Sequence, residues 1–167
     1  MDESGLSERP SITRTWAPRG CTPQIHFSFC WRKLSVIAGV TWWRCSFRLF
    51  AGTVRAPQAV EFLAELRRQV RGKLLVIWDG LAVHRSRHVS QWVGRSGGAV
   101  TLARLPAYAP ELNPVEYVWG HLKKHALANF CPKDFAQLGR EARRVLRRAQ
   151  RRPSLVRAFW HQAELSL

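Results

Sequence analysis

Leu74-Leu75-Val76-Ile77-Trp78-Asp79 and, later, Leu105-Pro106-Ala107-Tyr108-Ala109-Pro110-Glu111-Leu112-Asn113-Pro114-Val115-Glu116-Tyr117-Val118-Trp119 decide how this chain folds. The first is a short apolar run that stops at an acid, the pattern of a buried strand over residues 73–79. The second is broken by two prolines and then presents Asn113, a good helix N-cap, followed by Pro114, whose fixed φ suits the first helical position. The helix that begins there buries Val115, Val118, Trp119 and Leu122 and carries Glu116 on its first turn. A carboxylate at a strand end and a carboxylate at the start of a later helix can meet in space.

Working outward, residues 7–23 hold Pro10, Pro18, Gly20 and Pro23, which makes them a turn-rich loop, anchored by Trp16. Residues 33–40 are rich in β-branched side chains. Residues 44–50 alternate, with Cys45, Phe47 and Leu49 on one face and Arg44, Ser46 and Arg48 on the other. The two runs predict an antiparallel pair, with Trp42 and Trp43 near its bend capping the core. Val60, Phe62, Leu63, Leu66 and Val70 recur at helical spacing over residues 56–71, and Gly72 ends that helix. After the strand at 73–79, a Gly80-Leu81 turn leads to a helix over 85–94, Gly97-Gly98 breaks it, and a strand follows over 100–105.

Beyond Pro132, Phe135, Leu138, Ala142, Val145 and Leu146 mark a helix studded with arginines. Pro153 separates it from a closing helix that carries Phe159 and Trp160. Strands alternating with helices predict an α/β fold, a mixed sheet with helices packed on it. A first strand ending at Asp2 would precede the hairpin and is here largely missing. We divide the chain into a core, residues 1–130, and C-terminal basic helices, residues 131–167, packed on it.

The charge is lopsided. In 167 residues, 27 Lys and Arg face 11 Asp and Glu, a net of +16. A field of this strength makes nucleic acid the default partner, ahead of a charge that serves solubility alone. Such binding weakens steeply with salt, because each neutralised phosphate releases counterions. The cysteines Cys21, Cys30, Cys45 and Cys131 form no C-x-x-C pair, and no His stands at zinc-finger spacing, which argues against structural zinc. Scattered cysteines without a signal peptide point to a reducing, cytoplasmic setting, and no apolar run is long enough for a bilayer span.

Three acids stand where a sheet could gather them: Asp2, Asp79 and Glu116. Phosphodiester hydrolysis needs an activated water and a stabilised leaving oxygen, which two Mg²⁺ ions roughly 3.5–4 Å apart supply. Mg²⁺ wants hard oxygen ligands and keeps several waters, so a few carboxylates suffice. Other readings remain for each acid. Asp79 could cap a turn, Glu116 could complete a capping box with Asn113, and Asp2 could fray. Glu3 could be confused with Asp2, but strand alternation points the two to opposite faces.

Trp78-Asp79-Gly80-Leu81-Ala82-Val83-His84, the Tyr-Ala-Pro-x-Leu-Asn-Pro-x-Glu run ending at Glu116, and the opening Asp2-Glu3-Ser4-Gly5 together resemble the DDE transposases of the Tc/mariner superfamily. The likeness is greatest to the bacterial insertion-sequence branch. It implies an RNase H-like fold, with Asp2, Asp79 and Glu116 as catalytic triad and metal ligands for two Mg²⁺ or Mn²⁺ ions. The 36 residues between Asp79 and Glu116 are close to the family's usual spacing. The implied activity is DNA cleavage at transposon ends and strand transfer into target DNA by a homo-oligomer, associated with the nucleoid. DNA-contacting candidates are His84, Arg85, Lys123, Arg140, Arg144 and Arg147, with a hydrogen-bonded structural role open for His84.

Two departures stand out. Family members carry more of the first strand, and a helix-turn-helix region before it, so this chain reads as N-terminally truncated. Gly80 stands where the family usually has Asn. An inactive remnant, or a non-catalytic DNA-binding protein, is the alternative function.

Overall fold

The computed structural model describes residues 1–27, 32–81, 83–106 and 109–165. Cys30, Ala82 and the Ala107-Tyr108 pair of the motif lie outside them. Strands β1 (Asp2–Leu6), β2 (Leu34–Val40) and β3 (Cys45–Ala51) form an antiparallel sheet in that order. Strands β4 (Leu74–Trp78) and β5 (Val100–Arg104) pair in parallel, Leu74 opposite Val100 and Trp78 opposite Arg104. The Met1 backbone nitrogen donates to the Ile77 carbonyl at 2.8 Å, which sets β1 beside β4. Helices α1 (Ala56–Gln69) and α2 (Arg87–Gly94) lie between strands in sequence; α3 (Pro114–Gly120), α4 (Phe135–Gln150) and α5 (Pro153–Gln162) follow them. A wide π-helical stretch, His121–Ala126, continues α3.

The mixed α/β architecture is the expected one, but the first strand differs from expectation. It does not end at Asp2. It runs from Asp2 to Leu6, every residue in register with β2 from Asp2 opposite Ala38 to Leu6 opposite Leu34.

Strand alternation splits the core into two layers. Leu34, Val36 and Ala38 of β2 point to one face and pack with Val115, Val118, Trp119, Leu138, Leu146 and Phe159 of α3, α4 and α5. Ile37 points to the other and joins Phe62, Leu63 and Leu66 of α1, Val89 of α2, and Val76, Trp78 and Val100 of the parallel pair. On β3 the alternation holds: Phe47 and Leu49 pack against the first layer and Phe50 against the second. Arg48 turns to α1, between Glu61 at 2.6 Å and Glu65 at 3.0 Å. In α4 the inward stripe is Leu138, Ala142, Val145, Leu146 and Ala149, and Asp134 caps the helix by accepting from the Gln137 N–H at 2.6 Å. The arginines Arg140, Arg143, Arg144, Arg147 and Arg148 are left on its exposed side.

Three expectations about burial fail. Trp16 anchors nothing, being 100% exposed, and Trp43 is 66% exposed; only Trp42 of the pair packs, edge-on to Trp160. Strand β4 is buried on one side only: Val76 and Trp78 face the second layer, while Leu75 and Ile77 are 59% and 44% exposed. An unbroken apolar run reads as a strand covered on both faces, and here one of them is open. Among the described residues no helix is long and apolar enough to cross a membrane.

Phe62, at 1% exposure, is the largest aromatic side chain that α1 buries. Phe62→Ala should cost about 3–5 kcal/mol in urea unfolding. Trp16→Ala, despite removing a larger ring, should leave the midpoint unchanged.

Candidate active site

Asp2 opens β1 opposite Ala38, and directly opposed residues share a face. Since Ala38 faces α3, so does Asp2. There its Oδ2 accepts the Trp119 indole N–H at 2.9 Å, while Oδ1 accepts the Glu3 backbone N–H at 2.7 Å. Asp2 is therefore not frayed; it is only 5% exposed. Burial pushes its carboxyl from the ordinary 3.8 up to about 6; the Trp119 and Glu3 hydrogen bonds oppose this, and the charges of Glu116 and Glu3 add to it. Glu116 stands three residues before Trp119, on the helix that the indole bond ties to Asp2. Trp119, expected to pack the helix on the sheet, does so, and its indole nitrogen also ties that helix to Asp2. The indole bond depends on tertiary contact, and no local pattern announces it.

Helix α3 is set up as its sequence dictates. Asn113 caps it, its side-chain oxygen accepting from the Val115 N–H at 3.2 Å, with Pro114 at the first position. Glu116 lies on the exposed side of that turn, and its carboxylate forms no hydrogen bond or ion pair among the described residues. Beside it runs a groove of about 590 Å³ lined by Glu111, Tyr117, His121, Lys124, His125 and Phe159, among others. Burial first, then His125 and Arg152, holds the His121 imidazole below its ordinary pKa. Asp2 and Asp79 do not line this groove.

Asp79 follows β4 directly. Its Oδ1 accepts the Leu81 N–H at 3.1 Å, the turn-capping role, and also meets His84 Nδ1 at 2.7 Å. His84 Nε2 lies 2.8 Å and 3.0 Å from the two oxygens of Glu3. Glu3 pairs with Ile37, so it points to the opposite face from Asp2, as alternation requires. His84 thus corrects one expectation. It is buried, both ring nitrogens meet acidic partners, and none is left for a DNA phosphate. Burial pulls its pKa down, but the hydrogen bond and charge of Glu3, then Asp79, outweigh it and hold the imidazole above its ordinary value.

Electrostatics link these side chains around the tips of β1 and β4. The Met1 amino group is pushed down to about 6 by burial, against the combined pull of Asp2, Glu3 and Asp79. Among the described residues, however, no three His, Cys, Asp or Glu side chains lie together closely enough to hold a metal ion. The donor chemistry nonetheless suits a hard divalent cation: all three candidate acids offer carboxylate oxygen. Asp2 in addition is a buried carboxylate held by two N–H donors, and a bound cation would compensate its charge. The remaining candidates are scattered. Arg85, Arg140, Arg144 and Arg147 are exposed, Arg144 in an ion pair with Glu141, and Lys123 is half-buried beside Leu127 and Phe130.

The family model described as DDE superfamily endonuclease matches residues 1–139. The Tcb2 transposable-element transposase of Caenorhabditis briggsae is 38% identical over 42 residues, 25% of this chain and 15% of that protein. Among solved structures, the Mos1 transposase paired-end complex with the left transposon end superposes with a TM-score of 0.72 at 16% identity, over 97% of this chain and 50% of that one. The catalytic domain of the Mos1 mariner transposase gives 0.68 at 15% identity, over 98% and 76%. The fold is therefore the RNase H-like one, and this chain spans about half the length of the paired-end protein.

Two outcomes follow from this geometry. Because the folded carboxyl of Asp2 binds its proton more tightly than the unfolded one, the contribution of this group to stability is fully present below pH 3.8 and is lost as pH rises to about 6. Asp2→Asn, whose single side-chain oxygen can meet only one of the two N–H donors, should remove this pH dependence and lower stability at low pH, read from melts across pH. A Cβ at Gly80 meets nothing within 4 Å, so the turn has room for a side chain. Gly80→Asn should fold normally and gain about 0.4–1 kcal/mol through the unfolded state, measured by urea titration.

Proposed function

This chain belongs to the DDE superfamily endonuclease family, and we propose that it is the catalytic domain of a Tc/mariner-type transposase of the bacterial insertion-sequence branch. It cuts DNA at transposon ends and joins the freed 3′-hydroxyl to target DNA, acting as a homo-oligomer on chromosomal DNA. The observation that supports the reading is the match to that family over residues 1–139, together with the Trp119 hydrogen bond that ties Asp2 to the helix carrying Glu116.

Asp2, Asp79 and Glu116 would hold two Mg²⁺ or Mn²⁺ ions. Bound there, the ions would supply Lewis acidity for in-line displacement at phosphorus. The chain's own part is to fix the carboxylates. Trp119 and the Glu3 N–H pin both oxygens of Asp2, which keeps that side chain from rotating. Glu116, on the first turn of a capped helix, keeps its oxygens exposed and unpaired among the described residues. Water attacks in the first step and the 3′-hydroxyl in the second, with no covalent enzyme intermediate. The exposed arginines at positions 140, 144 and 147 lie at helical spacing on one side of α4 and suit phosphate contact without base choice.

A second reading, a DNA-binding protein without catalysis, draws on the absence of a ready three-ligand cluster among the described residues. Plasmid nicking separates the two. The unaltered protein should nick in Mg²⁺ or Mn²⁺ and stop in chelator, and Asp79→Ala should fall to background. Equal nicking by both proteins would remove the enzyme assignment. In either case, replacing Arg140, Arg144 and Arg147 together with alanine should lower the slope of log affinity against log salt by about 2–3, in fluorescence anisotropy with duplex DNA.

A further inference from the structure

Glu3 and His84 have no part in the proposed chemistry, yet they make some of the closest polar contacts in the molecule. Resting on the metal-site reading above, we propose that they form a clamp that fixes the Asp79 carboxylate in the orientation a divalent cation requires. Both are positioning residues: His84 acts on Asp79 directly, and Glu3 acts through His84.

The clamp is built from four constraints. Glu3 is held by the β1–β2 register, opposite Ile37, so its carboxylate leaves the sheet on a fixed side. Both its oxygens converge on His84 Nε2, at 2.8 Å and 3.0 Å. The His84 ring lies against the Trp78 indole, with centroids 3.6 Å apart and planes 39° from parallel, so the ring cannot turn. Its Nδ1 is then aimed at Asp79, 2.7 Å from Oδ1 and 3.1 Å from the backbone carbonyl. Oδ1 of Asp79 also takes the Leu81 N–H, which leaves Oδ2 without a partner among the described residues. One oxygen is tethered and one is presented. Asp79 is 39% exposed even with His84 in place, and without His84 the Leu81 N–H alone would hold its carboxylate.

A histidine that merely satisfies buried acids would matter for stability alone. A clamp matters for metal affinity, since loss of an outer partner typically weakens binding about 10–100-fold. The experiment is Mn²⁺ binding by electron paramagnetic resonance on the full chain, beside circular dichroism and a melting curve. Glu3→Ala and His84→Ala should each weaken Mn²⁺ binding about 10–100-fold while the spectrum stays folded. Glu3→Gln, whose carbonyl still accepts from Nε2, should bind nearly as the unaltered protein does. If Asp79→Ala loses Mn²⁺ while Glu3→Ala and His84→Ala keep it, the clamp is wrong and the metal site stands. If the unaltered protein binds no Mn²⁺, the metal site fails and the clamp with it. Should the alanine variants not fold, long-range proton–nitrogen NMR of the unaltered protein decides: both His84 ring nitrogens must appear hydrogen-bonded, and a free one overturns the clamp.

Discussion

The bond from the Trp119 indole to Asp2 is the contact on which the rest of the arrangement depends. It joins the first residue of the first strand to a helix that begins more than a hundred residues later, and it does so in the buried interior. A buried carboxylate is expensive unless its oxygens find donors. Trp119 and the Glu3 backbone supply them, and the cost that remains appears as a carboxyl pushed up to about 6. The same contact decides where Glu116 stands. Three positions along α3 from Trp119, it is carried to the Asp2 side of the sheet by the helix that the indole holds down.

The two-layer core explains how neighbouring acids come to serve different ends. Ala38 and Ile37 of β2 face opposite layers, and their partners Asp2 and Glu3 follow them. One acid is delivered to α3 and the other to His84. A sheet covered by α3, α4 and α5 on one face and by α1 and α2 on the other can therefore organise both sides of a strand tip from two consecutive residues. The positive surface is kept apart from this. On α4 the apolar stripe is turned to the core and the arginines to solvent, so the basic field and the acidic cluster do not neutralise each other.

Much of this was legible in the residues themselves, for reasons that are local. Asn113-Pro114 announces a helix start because capping and a fixed φ are properties of those two side chains. The β2–β3 pair and the faces of Asp2 and Glu3 follow from a period of two. The misreadings share a cause of another kind. Trp16 and Trp43 are large and apolar, but size does not oblige a side chain to be buried. Leu75 and Ile77 look like core from their run, and whether a helix covers them is decided elsewhere in the chain. The family resemblance sets His84 near the site, yet that it faces Glu3 depends on β1 lying beside β4. Nothing in His121-Leu122-Lys123-Lys124-His125-Ala126 foretells a π-helical stretch.

That stretch sets a phase. In an unbroken α-helix, the residue seven positions after Glu116 would lie above it, and that residue is Lys123. The wide turn, with the Leu127 N–H reaching back five residues to the Leu122 carbonyl at 2.9 Å, holds an extra residue. As a result Lys124 shares the groove with Glu116, and Lys123 faces the opposite hollow by Leu127 and Phe130. The cation that accompanies the acid is thus chosen by winding rather than by composition. Shortening this segment by one residue would leave the charge of the helix intact in kind and turn a different side chain towards the acid.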